Sequence, residues 1–205
     1  MAYYRDSVTQ KSWLFLQELR RKFHFVLIGG GAIWLYTRQL KSKDIDIVVE
    51  LSELDKLKTT YDLTKNERLK KYEIKQGEVD VDIYVPFYST PGVAAEQILK
   101  NVVEIESFKI PSRELLLVLK TVAWKSRRMS AKGRKDLIDI VSLLATGKLA
   151  AGKLNDLFTE GPLRMAKEAL IEELKTATDI GELSLNQHQV ARAKKDWFKI
   201  LNPET

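Results

Sequence analysis

Cysteine, histidine and long apolar runs are scarce in this 205-residue chain. The absence of cysteine excludes disulfides, thiolate metal sites and cysteine nucleophiles. The 2 histidines, His24 and His188, are far apart in the sequence, which argues against a histidine-rich zinc site. The longest apolar run, residues 25–36, contains three glycines and is too short to span a bilayer. We therefore expect no membrane-spanning helix and, because the first residues lack the apolar core of a signal peptide, a cytoplasmic location.

Positive charge is in excess, and it is concentrated in one segment. The formal net charge is +6, and residues 109–148 contain ten Lys or Arg against three acids. Such a cluster indicates a polyanion nearby, such as nucleotide phosphates, RNA or an acidic partner. A solvated lysine-rich surface would explain the cluster equally well.

Hydrophobic periodicity predicts an α/β half before Pro111. An amphipathic helix is expected over residues 8–22, since its apolar positions recur at helical spacing. A capping box over residues 52–55 predicts a helix from Glu53 to about Thr60, and Gln76-Gly77 predicts a hairpin turn. The remaining predicted elements are strands at 25–28, 45–50, 68–75, 79–85 and 102–110, a glycine turn at 29–31, and helices at 32–40 and 93–100.

The pattern after Pro111 is helical throughout. Ser112 is expected to cap one helix, and a second is expected to begin near Gly133 and end at Gly147. Further helices are predicted over 150–158, 162–177 and 186–201. The fold class is therefore an α/β (α+β) core with a short mixed sheet in residues 1–110, followed by a helical domain in residues 111–205.

Two of the predicted strands each carry a pair of aspartates. Because side chains alternate across a strand, Asp44 and Asp46 share one face while Ile45, Ile47 and Val49 face the core. Asp80 and Asp82 repeat this arrangement on the later strand. Clustered carboxylates repel one another, and a divalent cation relieves the repulsion because Mg²⁺ prefers hard oxygen ligands. The two strands therefore predict a metal site, in which neighbouring carboxylates can bridge two ions.

Three consecutive glycines, Gly29, Gly30 and Gly31, join the first strand to a helix. A glycine-rich turn at a helix N-terminus exposes backbone N–H groups to phosphates and lets the backbone approach them closely. Together with the carboxylates, the turn indicates a site for a metal and a nucleotide. Alternatively, the glycines serve only tight packing, and Asp80 and Asp82 only face solvent.

A dinucleotide-binding fingerprint is a minor alternative for the same segment. Gly29-x-Gly31 follows a strand, and Glu50 stands near where a ribose-binding acid is expected. Against this interpretation, Trp34 occupies the third glycine position, where close packing requires a small residue. The fingerprint also leaves both aspartate pairs unexplained.

These residues resemble the polymerase-β-like nucleotidyltransferase superfamily. Its signature is a hydrophobic residue, Gly, then Gly or Ser, a spacer, and Asp-h-Asp/Glu-h, where h is hydrophobic. Here Ile28, Gly29 and Gly30 are followed by thirteen residues and then by Asp44-Ile45-Asp46-Ile47. The resemblance implies a third carboxylate on a later strand, for which Asp82 is the choice, because Ile83 follows it, and Asp80 the reserve. Gly30 stands where many members have serine, so phosphate binding would depend on backbone N–H groups.

The helical half looks like the corresponding region of AbiEii-type toxin nucleotidyltransferases. The segment LLLVLKTVAWKSRRMSAKGRKDLIDIVSLL matches a helix with a lysine followed by a helix with R/K-D-h-h-D. The resemblance, which covers residues 26–144, makes Lys120 the lysine that contacts the phosphates and Asp136 the first acid, with Asp139 one turn later. It also implies that residues 111–147 complete the active-site cleft, and that an antitoxin is an expected partner. Lys120 as an ordinary amphipathic-helix lysine and Lys135-Asp136 as a surface pair remain the structural alternative.

The sequence thus predicts an enzyme that uses two Mg²⁺ (or Mn²⁺) ions and a nucleoside triphosphate such as ATP. It would transfer a nucleotidyl group to a hydroxyl of an unidentified acceptor, for which transfer RNA, a protein and a small antibiotic-like molecule are all candidates. Asp44, Asp46 and Asp82 would bind metal, Asp82 would take the acceptor proton, and Gly29, Gly30, Gly31, Lys120 and Asp136 would bind the nucleotide. The alternative is a non-catalytic module whose basic helices bind RNA or a partner protein.

Overall fold

The structure is a computed structural model that describes residues 6–158, 161–178 and 180–202. The chain divides into two compact units, the first ending at Ser112 and the second beginning at Arg113. None of the described helices is both long and apolar enough to cross a membrane.

The first unit combines four helices with seven strands within the described residues. The helices are α1 (Asp6–Lys22), α2 (Gly29–Thr37), α3 (Leu51–Thr60) and α4 (Ala95–Lys100). The strands are β1 (Val26–Ile28), β2 (Ile45–Val48), β3 (Thr64–Asn66), β4 (Lys71–Gln76), β5 (Val79–Tyr84), β6 (Val102–Ile105) and β7 (Phe108–Pro111).

The strands form one mixed sheet in the order β3-β4-β5-β2-β1-β7-β6. β2 runs parallel to β5 and β1 parallel to β7, whereas the other neighbouring pairs are antiparallel. Leu27, Ile47 and Ile83 are successive register partners and are fully buried, so they form the apolar face of the sheet. The predicted α/β core with a mixed sheet is confirmed, as is the burial of Ile45, Ile47 and Val49.

The direction of β2 excludes the dinucleotide-binding alternative. That fingerprint requires a βαβ unit whose two strands are parallel. Here β1 and β2 flank α2 but pair antiparallel, with Ile28 opposite Asp46. The glycines therefore belong to a different kind of turn.

The observed strands differ from the predicted ones at two places in the sequence. The single strand predicted over residues 102–110 is the hairpin β6–β7, whose turn residues Glu106 and Ser107 have φ of 51° and 62°. Turns with positive φ at both central positions match strand twist, but Asn and Gly usually occupy them, so Glu-Ser gives no sequence signal. Strand β3 was not predicted at all, because Thr64–Asn66 is short and polar.

The capping box predicted over residues 52–55 is wrong. Helix α3 begins at Leu51 with Glu50 at its N-cap, so Ser52 lies inside the helix, and no side chain caps it. Glu53 instead accepts hydrogen bonds from the backbone N–H of His24 at 3.1 Å and from Lys56 Nζ at 2.6 Å. The bond from Lys56 and the contact with His24 outweigh burial and hold the pKa of the Glu53 carboxyl below its usual range.

Replacing Glu53 by glutamine is expected to lower the free energy of unfolding by about 1 kcal/mol near neutral pH, since a charged hydrogen bond is lost. A carboxyl with a lowered folded-state pKa stabilises the fold above its ordinary pKa and loses this effect as pH falls through the lowered value. The difference between the two proteins should therefore shrink in acid. Urea unfolding at several pH values measures it, with Asp55→Asn in the same helix as the exposed control. A difference that does not change with pH would contradict the lowered pKa of Glu53 in the folded protein.

The second unit is helical, with α5 (Arg113–Arg127), α6 (Ala131–Ala145), α7 (Ala151–Leu157), α8 (Gly161–Thr176), α9 (Gln187–Leu201) and a short 3₁₀ helix at Gly181–Leu183. Ser130 caps α6 by accepting the N–H of Gly133, so the helix begins before the predicted Gly133, and it ends before the predicted Gly147. A Cβ at Gly133 would lie 2.2 Å from the carbonyl oxygen of Arg127. The absence of this Cβ therefore allows the tight turn between α5 and α6.

Candidate active site

The three glycines form the first turn of α2, rather than a loop before a helix that starts at residue 32 as predicted. The N-cap residue, Ile28, is apolar, and its side chain makes no capping hydrogen bond to the first turn. Gly29 has φ of +63°, a conformation that other residues adopt only with strain. A helix N-terminus of this kind is suited to binding an anion.

Gly29 also lies directly against Asp46. A Cβ placed on Gly29 would be 2.1 Å from Oδ2 of Asp46 and 2.8 Å from its Cγ. The two residues meet because Ile28, immediately before the glycine, is the register partner of Asp46. The structure therefore brings together the glycine turn and the Asp-x-Asp motif, which the sequence related only by their spacing.

The second aspartate motif lies next to the first across the sheet. Asp82 is the register partner of Asp46 on the parallel strand β5, and Glu73 on β4 is the partner of Asp82 on the other side. Register partners point to the same face, so three carboxylates form a row across three adjacent strands. Asp44 is half-buried and lies one residue before β2 begins.

The structure also distinguishes Asp82 from Asp80, the second candidate for the third carboxylate. Asp82 is half-buried and faces Asp46, whereas Asp80 is exposed and has Lys75 as its register partner on β4. Burial raises the pKa of the Asp82 carboxyl, despite the bond from Lys71, and the negative charges of Glu73 and Asp44 act in the same direction as burial. Asp44 and Asp82 are therefore within electrostatic reach of each other.

Sequence reasoning missed Lys71 and Glu73. Lys71 Nζ lies 2.6 Å from Oδ2 of Asp82 and 3.0 Å from Oε1 of Glu73, and Asn66 donates to Glu73 at 2.9 Å. Burial alone would lower the pKa of Lys71, but these two carboxylates outweigh it and raise this pKa above its usual value. The alternation Lys71-x-Glu73-x-Lys75 on one strand face was the available signal, but it reads as an ordinary exposed strand face.

The residue types at this site fit a divalent cation. Carboxylate oxygens are the ligands that Mg²⁺ and Mn²⁺ take, and a cation would relieve the repulsion that contributes to the raised pKa of Asp82. In the part of the chain that the structure describes, no three Asp, Glu or His side chains already converge as a ligand set. Asp82 is bonded to Lys71, and Asp44 lies 3.8 Å from Lys43 Nζ. Asp44, Asp46 and Asp82 therefore lie at neighbouring positions in or next to β2 and β5, and their role as metal ligands stays a prediction.

A cavity of about 300 Å³ in the first unit shares Asp44 with this site. Its walls include Trp13 of α1 and Trp34 of α2, whose ring centroids lie 4.9 Å apart, edge to face, and Gly31 and Ser42 also line it. This volume is at the small end of the range for ligand pockets. The cavity could not be predicted from any motif, because its lining comes from four separate segments.

The second unit contains a buried cluster of charges around the predicted Lys120 and Asp136. Lys120 Nζ lies 3.1 Å from Asp136 Oδ1 and 2.8 Å from Asp139 Oδ2. Arg127 Nε lies 2.7 Å from Asp136 Oδ2, and Lys135 Nζ lies 3.4 Å from Asp139 Oδ2. Both carboxylates are only 1% exposed. These five residues, Lys120, Arg127, Lys135, Asp136 and Asp139, define the α5–α6 cluster.

At Asp136 in the α5–α6 cluster, neighbouring cations outweigh the effect of burial on the carboxyl pKa. Burial alone would raise the pKa of the Asp136 carboxyl, but the charges of Lys120 and Arg127 and their hydrogen bonds outweigh it and lower this pKa. Lys120 and Lys135 are themselves nearly buried. The alternative of a surface Lys135-Asp136 pair is therefore wrong, because both residues are buried. The predicted contact of Lys120 with phosphates stays a prediction.

No protein-family model matches the sequence, and no curated protein is similar to it in sequence. Solved structures do resemble it. An antigenic nucleotidyltransferase-like protein from Paracoccidioides brasiliensis matches with a TM-score of 0.53 at 16% identity, over 93% of this chain and 93% of that chain. A protein from H. pylori described as a nucleotidyltransferase matches with a TM-score of 0.53 at 14% identity, over 98% and 97% of the two chains. At these identities the likeness concerns the fold, and the chain therefore has a nucleotidyltransferase-like fold.

Proposed function

We propose that this chain is a metal-dependent nucleotidyltransferase that transfers a nucleoside monophosphate from a nucleoside triphosphate to an acceptor hydroxyl. The observation that carries the proposal is the contact of Gly29 with Asp46, beside Asp82 in register. It joins a helix N-terminus suited to phosphates with a row of carboxylates, on a nucleotidyltransferase-like fold.

The chain's own residues would bind and orient the nucleotide. Backbone N–H groups of Gly29, Gly30 and Gly31 would donate to phosphate oxygens, and the missing Cβ atoms allow close approach. Asp44, Asp46 and Asp82 would hold Mg²⁺ or Mn²⁺ ions, which when bound supply charge neutralisation at the reacting phosphate.

The proposed reaction is a single displacement at the α-phosphorus. The acceptor oxygen forms a bond to this phosphorus, the bond from the phosphorus to the α–β bridging oxygen breaks, and pyrophosphate leaves with the electron pair. The Asp82 carboxylate would receive the proton that the acceptor hydroxyl loses as the new bond forms.

Two residues of the α5–α6 cluster, Lys120 and Asp136, are also proposed to bind the nucleotide. Lys120 would contact the triphosphate and Asp136 would orient it, as the AbiEii-type resemblance implies. The AbiEii-type resemblance alone supports a more specific proposal. In it, the protein is a toxin that modifies tRNA or protein and has a cognate antitoxin.

Incubation with each α-labelled nucleoside triphosphate, Mg²⁺ and a total RNA and protein extract tests the function. We expect one class of macromolecule to take up label. The double variant Asp44→Asn/Asp46→Asn should abolish this nucleotide incorporation. Asp82→Asn should also be inactive, whereas the exposed neighbour Asp80→Asn should stay active. Unchanged incorporation by the double variant would contradict the mechanism.

Binding measurements separate the enzyme from the non-catalytic alternative. An enzyme should bind nucleoside triphosphate in the presence of Mg²⁺. A protein that binds no nucleotide but binds RNA with strong salt dependence would instead be an RNA-binding module.

A further inference from the structure

We infer that Lys71 is a positioning residue that holds the Asp82 carboxylate in place for metal binding. The inference rests on the proposed function and goes beyond it, because neither the glycine–aspartate motifs nor the α5–α6 cluster involves strand β4. It is carried by hydrogen bonds that link three neighbouring strands in the first unit.

Lys71 is held at the start of β4 from two sides. Its ammonium lies 2.6 Å from Asp82 Oδ2 on β5 and 3.0 Å from Glu73 Oε1 on its own strand. Glu73 is held in turn by the side-chain amide of Asn66 on β3, at 2.9 Å. The order of contacts is therefore Asn66, Glu73, Lys71 and Asp82, running from the edge strand toward the candidate metal site.

The burial of Lys71 distinguishes it from Lys75, the other lysine on the same face of β4. Its side chain is only 10% exposed, whereas Lys75, four residues along β4, is exposed. Removing an ammonium from water is costly unless carboxylates compensate for it, so Lys71 is buried where two of them are present. An exposed lysine could have neutralised Glu73 without this desolvation.

The strand order explains how a bond to Lys71 leaves Asp82 available for metal. β5 lies between β4, which carries Lys71, and β2, which carries Asp46. Lys71 engages Oδ2 of Asp82 from the β4 side, and a metal ion shared with Asp46 would approach from the β2 side. Groups that hold a ligating carboxylate in this way restrict its orientation, and their loss weakens metal binding.

Titration of the nucleotide-free protein with Mn²⁺, followed by the electron paramagnetic resonance signal of free Mn²⁺, tests the inference. Lys71→Met should weaken Mn²⁺ binding roughly 10- to 100-fold. Lys75→Met, which removes the same charge from the same strand face, should bind like the parent protein. Lys71→Arg keeps a cation in reach of Asp82 and should restore most of the affinity. In turnover assays, kcat of Lys71→Met should fall while KM for the nucleotide changes little.

The outcomes separate this inference from the proposed function. A parent protein that binds no Mn²⁺ and incorporates no nucleotide would refute the proposed function itself. If the parent protein binds Mn²⁺ and Lys71→Met binds it equally well, the positioning role is refuted while the function stands. Should Lys71→Met fail to fold, Lys71→Ala also removes the donor to Asp82 and leaves space that water can enter, and parent-like Mn²⁺ affinity of that variant would refute the role equally.

Discussion

Replacing Asp136 by alanine is expected to lower the free energy of unfolding by about 3–5 kcal/mol, the range for breaking one side of a buried ion pair. Asp136 is 1% exposed and accepts hydrogen bonds from both Lys120 and Arg127. Without it, Lys120 remains buried with Asp139 as its remaining carboxylate partner in the α5–α6 cluster, and Asp139 is already shared with Lys135. The loss should appear in urea unfolding of the full chain at neutral pH.

Acid should reduce this difference between the parent and Asp136→Ala. The folded state lowers the pKa of Asp136, so the carboxylate stabilises the fold above its ordinary pKa, and the contribution disappears as pH falls through the lowered value. Asp156→Ala, at an exposed position in the same unit, serves as the control and should stay within about 0.5 kcal/mol of the parent. A similarly small effect for Asp136→Ala would contradict the burial of the cluster.

Combining Asp136→Leu with Lys120→Met should recover part of the lost stability. Replacing a buried ion pair by apolar residues of similar volume is often neutral, because both desolvation costs disappear together. Lys135 and Asp139 would still form their own pair in the double variant. If the double variant were less stable than Asp136→Ala, packing rather than charge would dominate this part of α5 and α6.

Replacing Gly29 by alanine is expected to damage both folding and activity. The positive φ of this residue costs of order 1–3 kcal/mol for a non-glycine residue. In addition, the new Cβ would lie 2.1 Å from Oδ2 of Asp46, so the carboxylate must move. A displacement of about 1 Å at a reacting centre can cost about 100-fold in rate, and we expect a loss of nucleotide incorporation of at least that order.

Gly77 provides a matched control for Gly29. It has the same φ of +63°, but a Cβ there would meet nothing within 4 Å. Gly77→Ala should therefore show the backbone strain alone, with nucleotide incorporation unchanged. Thermal unfolding and incorporation assays on both variants separate strain from the clash with Asp46. Equal stability losses with full activity in both would mean that Gly29 does not contact Asp46.

Strand periodicity was the most successful part of the sequence interpretation, because it depends only on alternation along one strand. It correctly predicted that Ile45, Ile47 and Val49 are buried. It also placed Asp46 and Asp82 on the face of their strands that lies opposite the buried apolar side chains. The predictions that failed depended on local turn and cap chemistry. Ser52 lies inside α3 rather than capping it, and Glu106-Ser107 forms a turn that its residue types do not indicate.

The sequence by itself therefore determined which residues carry charge, which strand faces are apolar, and that a glycine turn precedes an Asp-x-Asp strand. Only the tertiary structure decided that Gly29 touches Asp46, that Asp82 rather than Asp80 lies in register with Asp46, and that Lys71 is buried between Asp82 and Glu73. The physical reason is that strand register is set by how the whole sheet packs, and a shift of one residue would move every side chain to the other face. Likewise, the lysine and the aspartate that the sequence selected in α5 and α6 form a buried ion pair only because the two helices pack closely at Gly133.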